Sequence, residues 1–168
     1  MRTFISVELP DEVKQKIAEL IEELKKTGAN VRWVKPENLH ITLKFLGEVD
    51  DKKLDKLIAA ATKAAAGTGS FKARFTGLGT FPAGKSPRVI WVGTAEGGDE
   101  LCTLAKALEE TGREFRPHIT IGRVRKLKGI EYVQDKEFGA MVVDRISIMS
   151  STLTPNGPVY KKLGEVQL

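Results

Sequence analysis

The sequence of 168 residues has few of the residue types on which many enzyme classes depend. Its single cysteine, Cys102, excludes an intrachain disulfide and a multi-cysteine metal site. Because no histidine lies at helical spacing from Cys102, the sequence supports neither a catalytic thiol nor a zinc site there. We expect a small side chain on a helix, in a protein of the reducing cytoplasm. The glycines form neither a P-loop nor a dinucleotide-binding fingerprint, so nothing indicates bound ATP.

Long hydrophobic runs are also missing. No apolar stretch approaches the roughly 20 residues that a membrane helix needs. Residues 1–8 reach an acidic side chain too early for a signal peptide, and they predict a first strand instead. With 41% hydrophobic and 29% charged residues, the composition is typical of a soluble globular protein.

The charge balance is moderately basic. The chain has 27 Lys and Arg residues against 22 Asp and Glu residues, a net charge of +5. This excess favours an anionic partner. Asn and Gln are scarce, with three of each, while Lys and Glu are abundant. Such a composition is typical of thermophile proteins, so we expect a heat-loving source.

Histidine is scarce too, and its placement is the most informative feature of the chain. The two histidines, His40 and His118, lie in nearly the same phrase: residues 39–43 read Leu-His-Ile-Thr-Leu, and residues 117–121 read Pro-His-Ile-Thr-Ile. Imidazole is the side chain best suited to proton transfer near neutral pH, because its ordinary pKa is about 6.5. The repeat predicts two proton-transfer groups, presented by two copies of one structural unit, for metal-free acid–base chemistry.

Apolar periodicity and turn residues predict the secondary structure. Helices are predicted over residues 11–26, 50–66 and 99–110. Strands are predicted over residues 4–9, 31–34, 39–46, 70–78, 88–93, 115–124, 142–150 and 159–166. The order predicts an α+β fold of two pseudo-symmetric lobes, each an antiparallel sheet with helices on its outer face, around a central cleft. Because no Ser/Gly-rich linker divides the lobes, we expect a single domain over residues 1–168. The strand in the 140s fits either lobe.

Strand alternation places the two His-x-Thr pairs in that cleft, since alternate side chains share a face. The residues expected to face inward are His40, Thr42 and Lys44 in the first strand and His118, Thr120 and Gly122 in the second. The aliphatic residues between them, together with Phe45, are expected in the core. One imidazole can then accept a proton from water, the other can donate one to a leaving oxygen, and the threonine hydroxyls can hold non-bridging oxygens. A cyclic phosphodiester suits this arrangement best.

Arginines next to the second motif fit an anionic substrate. Arg116 has the strand parity of His118, so it is a candidate for substrate binding. Arg123 has the opposite parity unless Gly122 marks a β-bulge, in which case it is a second candidate. The basic residues that follow, Arg125, Lys126 and Lys128, fit either a solvated loop or contacts with a phosphate backbone.

Several aromatic residues are candidates to stack on a nucleic acid base. They are Trp33, Phe45, Phe81, Trp91 and Tyr160. We expect Trp33 and Trp91 to be packed rather than exposed.

These motifs resemble those of a known family. Residues 32–47 and 115–123, with support from 4–8, 87–91 and 157–160, are similar to the RNA 2',3'-cyclic phosphodiesterases, historically called 2'-5' RNA ligases, of the two-histidine phosphoesterase superfamily. The resemblance runs nearly from end to end, and neither His-x-Thr motif departs from the family pattern.

The resemblance implies a bilobal fold and metal-free, cofactor-free hydrolysis of RNA terminal 2',3'-cyclic phosphates to 2'-phosphates. By position, His40 would be the proton donor to the leaving O3' and His118 the acceptor that activates water. Thr42 and Thr120 would hold the phosphate, with Arg116 as an extra contact. The resemblance also implies reversible 2'-5' ligation as a secondary activity. We further expect RNA ends, tRNA fragments among them, as substrates, no membrane partner, and a monomeric protein.

Reasoning from the residues alone leaves alternatives open. The pseudo-symmetry of the two motifs does not decide which histidine donates and which accepts. A small nucleotide, for example ADP-ribose 1'',2''-cyclic phosphate, fits the same chemistry. A non-catalytic module that binds RNA ends fits the basic charge, but it gives no reason for two His-x-Thr pairs.

Overall fold

The computed structural model describes residues 1–84, 86–108, 114–126 and 136–168, which form two antiparallel sheets and three α-helices. The strands are β1 (Arg2–Glu8), β2 (Asn30–Trp33), β3 (His40–Glu48), β4 (Phe71–Phe81), β5 (Val89–Thr94), β6 (His118–Lys126), β7 (Glu137–Val143), β8 (Arg145–Thr154) and β9 (Gly157–Gln167). The helices are α1 (Asp11–Lys25), α2 (Leu54–Ala65) and α3 (Gly98–Leu108). None of the helices in these ranges is long and apolar enough to cross a membrane.

The two sheets repeat one arrangement. Their strand orders are β3-β1-β8-β9 and β2-β6-β5-β4-β7. In each, the strand that begins with a histidine, β3 or β6, pairs with a central strand, β1 or β5, and two further strands follow. The predicted α+β fold with two similar sheets is therefore confirmed.

The lobes are not consecutive in the chain, however. Strand β2 lies between the first helix and the first histidine in sequence, yet it pairs with β6 in the second sheet. The closing hairpin of β8 and β9 joins the first sheet by pairing with β1. Each sheet is thus completed by strands from the other half of the sequence, which ties the lobes together.

The single strand predicted over residues 142–150 is wrong. Strand β7 ends at Val143 in the second sheet, and β8 begins at Arg145 in the first. The charged pair Asp144-Arg145 interrupts the alternation there, and the buried apolar positions change parity between Val143 and Ile146. The strand predicted over residues 115–124 begins later than predicted, since β6 starts at His118. The preceding residue, Pro117, has no N–H to donate to a sheet.

The helices pack apolar stripes against the core. On α1 the stripe is buried in full: Val13, Ile17, Leu20, Ile21 and Leu24. Helix α2 begins after a short 3₁₀ turn at Asp51–Lys53, later than the predicted start at residue 50. It packs on β9, where a Cβ on Gly164 would lie 2.8 Å from Ile58. The predicted end of the third helix, at residue 110, lies outside the described residues.

Cys102 lies on α3, as expected of a structural residue. Its side chain is half-buried, and Sγ lies 3.6 Å from the carbonyl oxygen of Phe115. Desolvation by burial, followed by the nearby charge of Asp99, raises the pKa of the thiol. A raised pKa leaves little thiolate at neutral pH, so Cys102 is a poor nucleophile.

Candidate functional site

A β-bulge in β3 decides which of its side chains reach the cleft. Where β1 uses two consecutive residues, β3 uses three, and Leu43 is the additional one. Lys44 therefore points away from the cleft, and its Nζ donates to the carbonyl oxygen of Leu108 at 2.6 Å. Phe45 turns to the cleft side, where 74% of it is exposed. The predictions of an inward Lys44 and a core Phe45 are wrong, because strict alternation does not survive a bulge.

The matching strand β6 carries a bulge at the equivalent place. The consecutive β5 residues Ile90 and Trp91 pair with Gly122 and Thr120, so Ile121 is the additional residue of β6. Arg123 consequently lines the cleft, the outcome that a bulge at Gly122 predicts. A Cβ on Gly122 would lie 2.6 Å from Val31, so close packing of β2 requires glycine there. Phe45 and Arg123 hold equivalent positions, each five residues after a histidine.

Both imidazoles are held by the same hydrogen bond. Nδ1 of His40 lies 2.6 Å from the carbonyl oxygen of Asn38, and Nδ1 of His118 lies 2.6 Å from that of Arg116. A carbonyl oxygen only accepts, so Nδ1 carries the hydrogen in both rings and Nε2 is left for chemistry. Nε2 of His40 lies 2.8 Å from Oγ1 of Thr42. In the neutral ring the Thr42 hydroxyl donates this bond.

Aromatic rings support each histidine. The centroid of His40 lies 5.1 Å from that of Phe4 and 5.4 Å from that of Tyr160, which meets it edge to face at 89°. His118 meets Phe81 edge to face at 5.0 Å and 86°. These contacts restrict both rings to one orientation, which acid–base catalysis requires.

The two tryptophans are packed, as expected. Trp91 lies 5.1 Å from Phe81, and its indole covers Gly79, where a Cβ would approach within 2.2 Å of the ring. Trp33 is half-buried against the core and also lines the cleft. Trp91 therefore acts as a support beneath Phe81 and His118, and it is no free platform for a base.

A cavity of about 770 Å³ brings the predicted residues together. His40, Thr42, His118 and Thr120 all line it. The charged side chains among its described lining residues are all cations: Arg2, Arg32, Lys35 and Arg123. Because the described lining holds four cations and no carboxylate, the cavity suits an anion.

Sequence reasoning missed three of these four cations. Arg2, Arg32 and Lys35 lie in segments that were treated as plain strands or turns. Asn38 was also missed: it is buried, and its Nδ2 donates to the carbonyl oxygen of Pro158 at 3.1 Å. That bond fixes the turn whose main chain holds His40. The clustering of these residues depends on strand pairings distant in sequence, so no local pattern reveals it.

The other predicted basic residues lie elsewhere. The side chain of Arg116 is exposed, with Nε 3.6 Å from Glu114, and it is not among the residues that line the cavity. Its carbonyl oxygen, rather than its guanidinium, contacts His118. Arg125 and Lys126 are exposed at the end of β6 outside the cavity lining. Lys128 lies outside the described residues.

The pKa of each histidine is lowered in the free protein. For His40 desolvation by burial is the main cause, the charges of Lys14 and His118 lower the pKa further, and the Asn38 carbonyl opposes them. For His118 burial again lowers the pKa, and the Arg116 carbonyl opposes it. Both rings are therefore mainly neutral at pH 7. An anion bound between them raises both pKa values and favours protonation of one ring.

Stability should consequently fall in mild acid. Because the folded-state pKa of each histidine lies below the unfolded value of about 6.5, the unfolded chain binds more protons below that pH. The contribution of the two neutral histidines to stability is therefore fully present above pH 6.5. It is lost as the pH falls through their lowered folded-state pKa values. We expect the thermal midpoint to drop between pH 7.5 and 5.5, and to drop less in a His40→Asn/His118→Asn double variant. Equal slopes for the two proteins would contradict the burial argument, since carboxylate titration is common to both.

Comparison with known proteins gives a consistent family assignment. The model of the family described as LigT like phosphoesterase matches residues 7–91 and again residues 92–160. Each match contains one His-x-Thr motif, in agreement with the repeated architecture. A curated relative from Thermotoga maritima, named RNA 2',3'-cyclic phosphodiesterase, is 41% identical over 99% of this chain and 95% of its own.

Solved structures share the fold over the whole chain. A crystal structure from Thermus thermophilus superimposes with a TM-score of 0.82 at 28% identity, covering 100% of this chain and 98% of that one. The Escherichia coli LigT protein, crystallised in complex with phosphate, gives a TM-score of 0.82 at 26% identity and covers 99% of this chain and 96% of that one.

Proposed function

The chain belongs to the LigT-like phosphoesterase family, and we propose that it hydrolyses the terminal 2',3'-cyclic phosphate of RNA to a 2'-phosphate. The observation that carries the proposal is the shared cavity. It joins two imidazoles, each with Nδ1 bound to a carbonyl, two threonine hydroxyls and a lining whose described charges are all positive. The relatives named RNA 2',3'-cyclic phosphodiesterase support the choice of substrate.

Two proton transfers complete the reaction. Nε2 of His118 accepts a proton from water as the water oxygen bonds to phosphorus. The bond from phosphorus to O3' breaks, and Nε2–H of His40 donates its proton to that oxygen. The products are a 2'-phosphate and a free 3'-hydroxyl, and exchange with solvent restores the two rings. The assignment of His40 as the donor rests on the family resemblance. The negative charge of the bound cyclic phosphate favours the protonated form of His40, which takes its proton from solvent.

The threonines hold the phosphate between the rings. Oγ1 of Thr42 already contacts Nε2 of His40, and Thr120 has the same strand spacing from His118. Hydroxyl groups that donate hydrogen bonds to the non-bridging oxygens stabilise the negative charge that grows on those oxygens in the transition state. The cations of the lining strengthen this effect through their field.

Phe45 offers a surface for the base of the terminal nucleotide. Phe45 is 74% exposed and lines the cavity, so its ring is accessible to a ligand bound there. Single-stranded RNA is commonly recognised by stacking of unpaired bases on aromatic rings. Tyr160 contacts the ring of His40 and lines the same cavity, so it lies beside the bound nucleotide.

The remaining expectations extend this proposal. Reversible 2'-5' ligation follows if a ribose 5'-hydroxyl replaces water as the nucleophile, and hydrolysis dominates in water. We assign RNA fragments, including tRNA halves, as substrates, and a monomeric single domain in the cytoplasm as the working form. Of the two arginines predicted to bind the substrate, Arg123 lines the cavity and keeps that proposed role, whereas Arg116 does not line it.

Incubation with a short RNA ending in a 2',3'-cyclic phosphate, in the presence of EDTA, tests the proposal. We expect complete conversion to a 2'-phosphate end, identified by chromatography against 2'- and 3'-phosphate standards. A 3'-phosphate product would reverse the assignment of the leaving oxygen. An intact cyclic end, together with salt-sensitive binding of the RNA, would overturn the proposal in favour of a binding module.

A further inference from the structure

The two histidine motifs differ in the segment that precedes them. In both, Nδ1 of the ring lies 2.6 Å from the carbonyl oxygen of the residue two positions earlier, which is Asn38 in the first motif and Arg116 in the second. Asn38 closes a 3₁₀ turn over Pro36–Asn38, whereas residues 114–117 form no helix or strand. The two equivalent carbonyl groups therefore belong to different local structures.

Asn38 forms hydrogen bonds in two directions. Its main-chain oxygen accepts from Nδ1–H of His40, while its side-chain Nδ2 donates to the carbonyl oxygen of Pro158 at 3.1 Å. Only 8% of Asn38 is exposed, so water competes little for the second bond. The turn of Asn38 precedes β3, Pro158 lies in β9, and these are the two edge strands of the first sheet. One buried residue therefore links the histidine to the opposite edge of its sheet.

The same segment of β9 contacts the ring itself. Tyr160, two residues after Pro158, meets His40 edge to face at 5.4 Å and 89°. Among the described residues, the side chain of Arg116 makes no comparable link: it is exposed, and its ion-pair partner is Glu114, two residues earlier in the chain. The first histidine is thus tied to a distant strand through the residue that holds its Nδ1, and the second is not.

The hydrogen bond on Nδ1 decides where Nε2 points. A half-turn of an imidazole about its Cβ–Cγ bond exchanges nitrogen for carbon at the position that faces the substrate. A carbonyl oxygen fixed on Nδ1 opposes this rotation and keeps the hydrogen of the neutral ring on Nδ1. A general acid must hold its proton within hydrogen-bond distance of the leaving oxygen. Movement of the turn before β3 would therefore misplace the donor.

We propose that Asn38 is a positioning residue for proton donation: by tying the turn before β3 to β9, its side-chain amide keeps the carbonyl oxygen on Nδ1 of His40 and so holds Nε2–H at O3'. This inference rests on the proposed function, in which His40 protonates O3', and adds to it a residue that acts through the donor. Loss of the amide impairs proton donation and leaves substrate binding and the action of His118 in place.

The test compares Asn38→Ala with the wild type on two substrates, an RNA ending in a 2',3'-cyclic phosphate and the same RNA with sulfur in place of O3'. A thiolate leaves without protonation, because a thiol has a pKa of only about 8.5. For the oxygen substrate kcat should fall about 10- to 100-fold with little change in KM, since misplacing a catalytic group by about 1 Å has an effect of this size. On the sulfur substrate the loss should be about tenfold smaller.

Two further variants separate the hydrogen bond from packing. Asn38→Leu is close to asparagine in size but lacks the amide, so it should reproduce the selective loss, and it decides the test if Asn38→Ala does not fold. Asn30→Ala makes the same change at an exposed asparagine of β2 and should alter kcat for neither substrate.

Nitrogen NMR of the free protein provides a readout that needs no substrate. The ring of His40 should keep its hydrogen on Nδ1 in the wild type and populate both tautomers in Asn38→Ala and Asn38→Leu, while His118 stays unchanged. A general loss of structure would disturb both rings.

Equal losses on the two substrates, or wild-type kcat in both Asn38 variants, would overturn the inference and leave the proposed function intact. A His40 ring that keeps its hydrogen on Nδ1 in both variants would do the same. A wild type that leaves the oxygen substrate uncleaved would overturn the proposed function, and this inference with it.

Discussion

Replacement of either histidine by alanine is expected to lower kcat for cyclic phosphate hydrolysis by about 10²–10⁴-fold. Among the described lining residues, the two imidazoles are the only side chains whose ordinary pKa lies near neutral pH. His40→Ala removes the donor to O3', and His118→Ala removes the acceptor of the water proton. Single-turnover hydrolysis of an RNA cyclic phosphate at pH 7 measures both losses without interference from product release.

The control for these variants is their folding. Because both rings are mainly neutral and half-buried in the free protein, we expect the circular dichroism spectrum and a cooperative thermal transition to persist in His40→Ala and His118→Ala. The double variant should lose little more activity than the poorer single variant, since the two groups act in one transition state. Wild-type turnover in either single variant would remove that histidine from the mechanism.

A leaving group that needs no proton separates the two roles. If His40 protonates O3', a substrate analogue with a more acidic leaving group should rescue His40→Ala strongly and His118→Ala weakly. Rescue of His118→Ala instead would assign the donor role to His118. The structure breaks the symmetry of the two motifs. Among the described residues, Lys14 lowers the pKa of His40 through its charge and a threonine hydroxyl bonds to its ring, and His118 has neither interaction.

Local sequence predicted the site as far as each motif and no further. Alternation places His40 and Thr42 correctly, because pairing of β3 with β1 is regular up to Thr42. After that residue the bulge reverses the parity, so Lys44 and Phe45 exchange faces. The bulge arises from how β3 pairs with β1, about 40 residues earlier in the chain, and single-strand periodicity contains no information about it.

Pairings between distant segments account for the other failures. Arg32 enters the cleft only because β2 pairs with β6, a strand from the other half of the chain. Residues 142–150 are predicted as one strand, while the chain passes from one sheet to the other at Asp144. Composition and alternation specify which face of a strand is apolar, whereas the choice of neighbouring strand depends on the whole fold.

The threonines should show a second large effect, with a difference between them. Thr42→Val and Thr120→Val keep the β-branched shape and remove the hydroxyl, so each should lower kcat/KM by about 10²-fold through loss of a donor to the phosphate. Serine at either position keeps the hydroxyl and should restore most of the activity. Valine variants with wild-type kcat/KM would exclude the threonines from phosphate binding.

Thr42 should also set the protonation of its histidine. Its hydroxyl donates to Nε2 of neutral His40 at 2.8 Å, and this bond favours the neutral ring. Removing it in Thr42→Val raises the pKa of His40, so the limb of the kcat/KM profile that reports His40 should move to higher pH. Thr120→Val leaves that bond in place and should lower the profile without shifting this limb. Identical displacement in both variants would show that the Thr42 bond to His40 has no part in catalysis, and that both hydroxyls act on the phosphate alone.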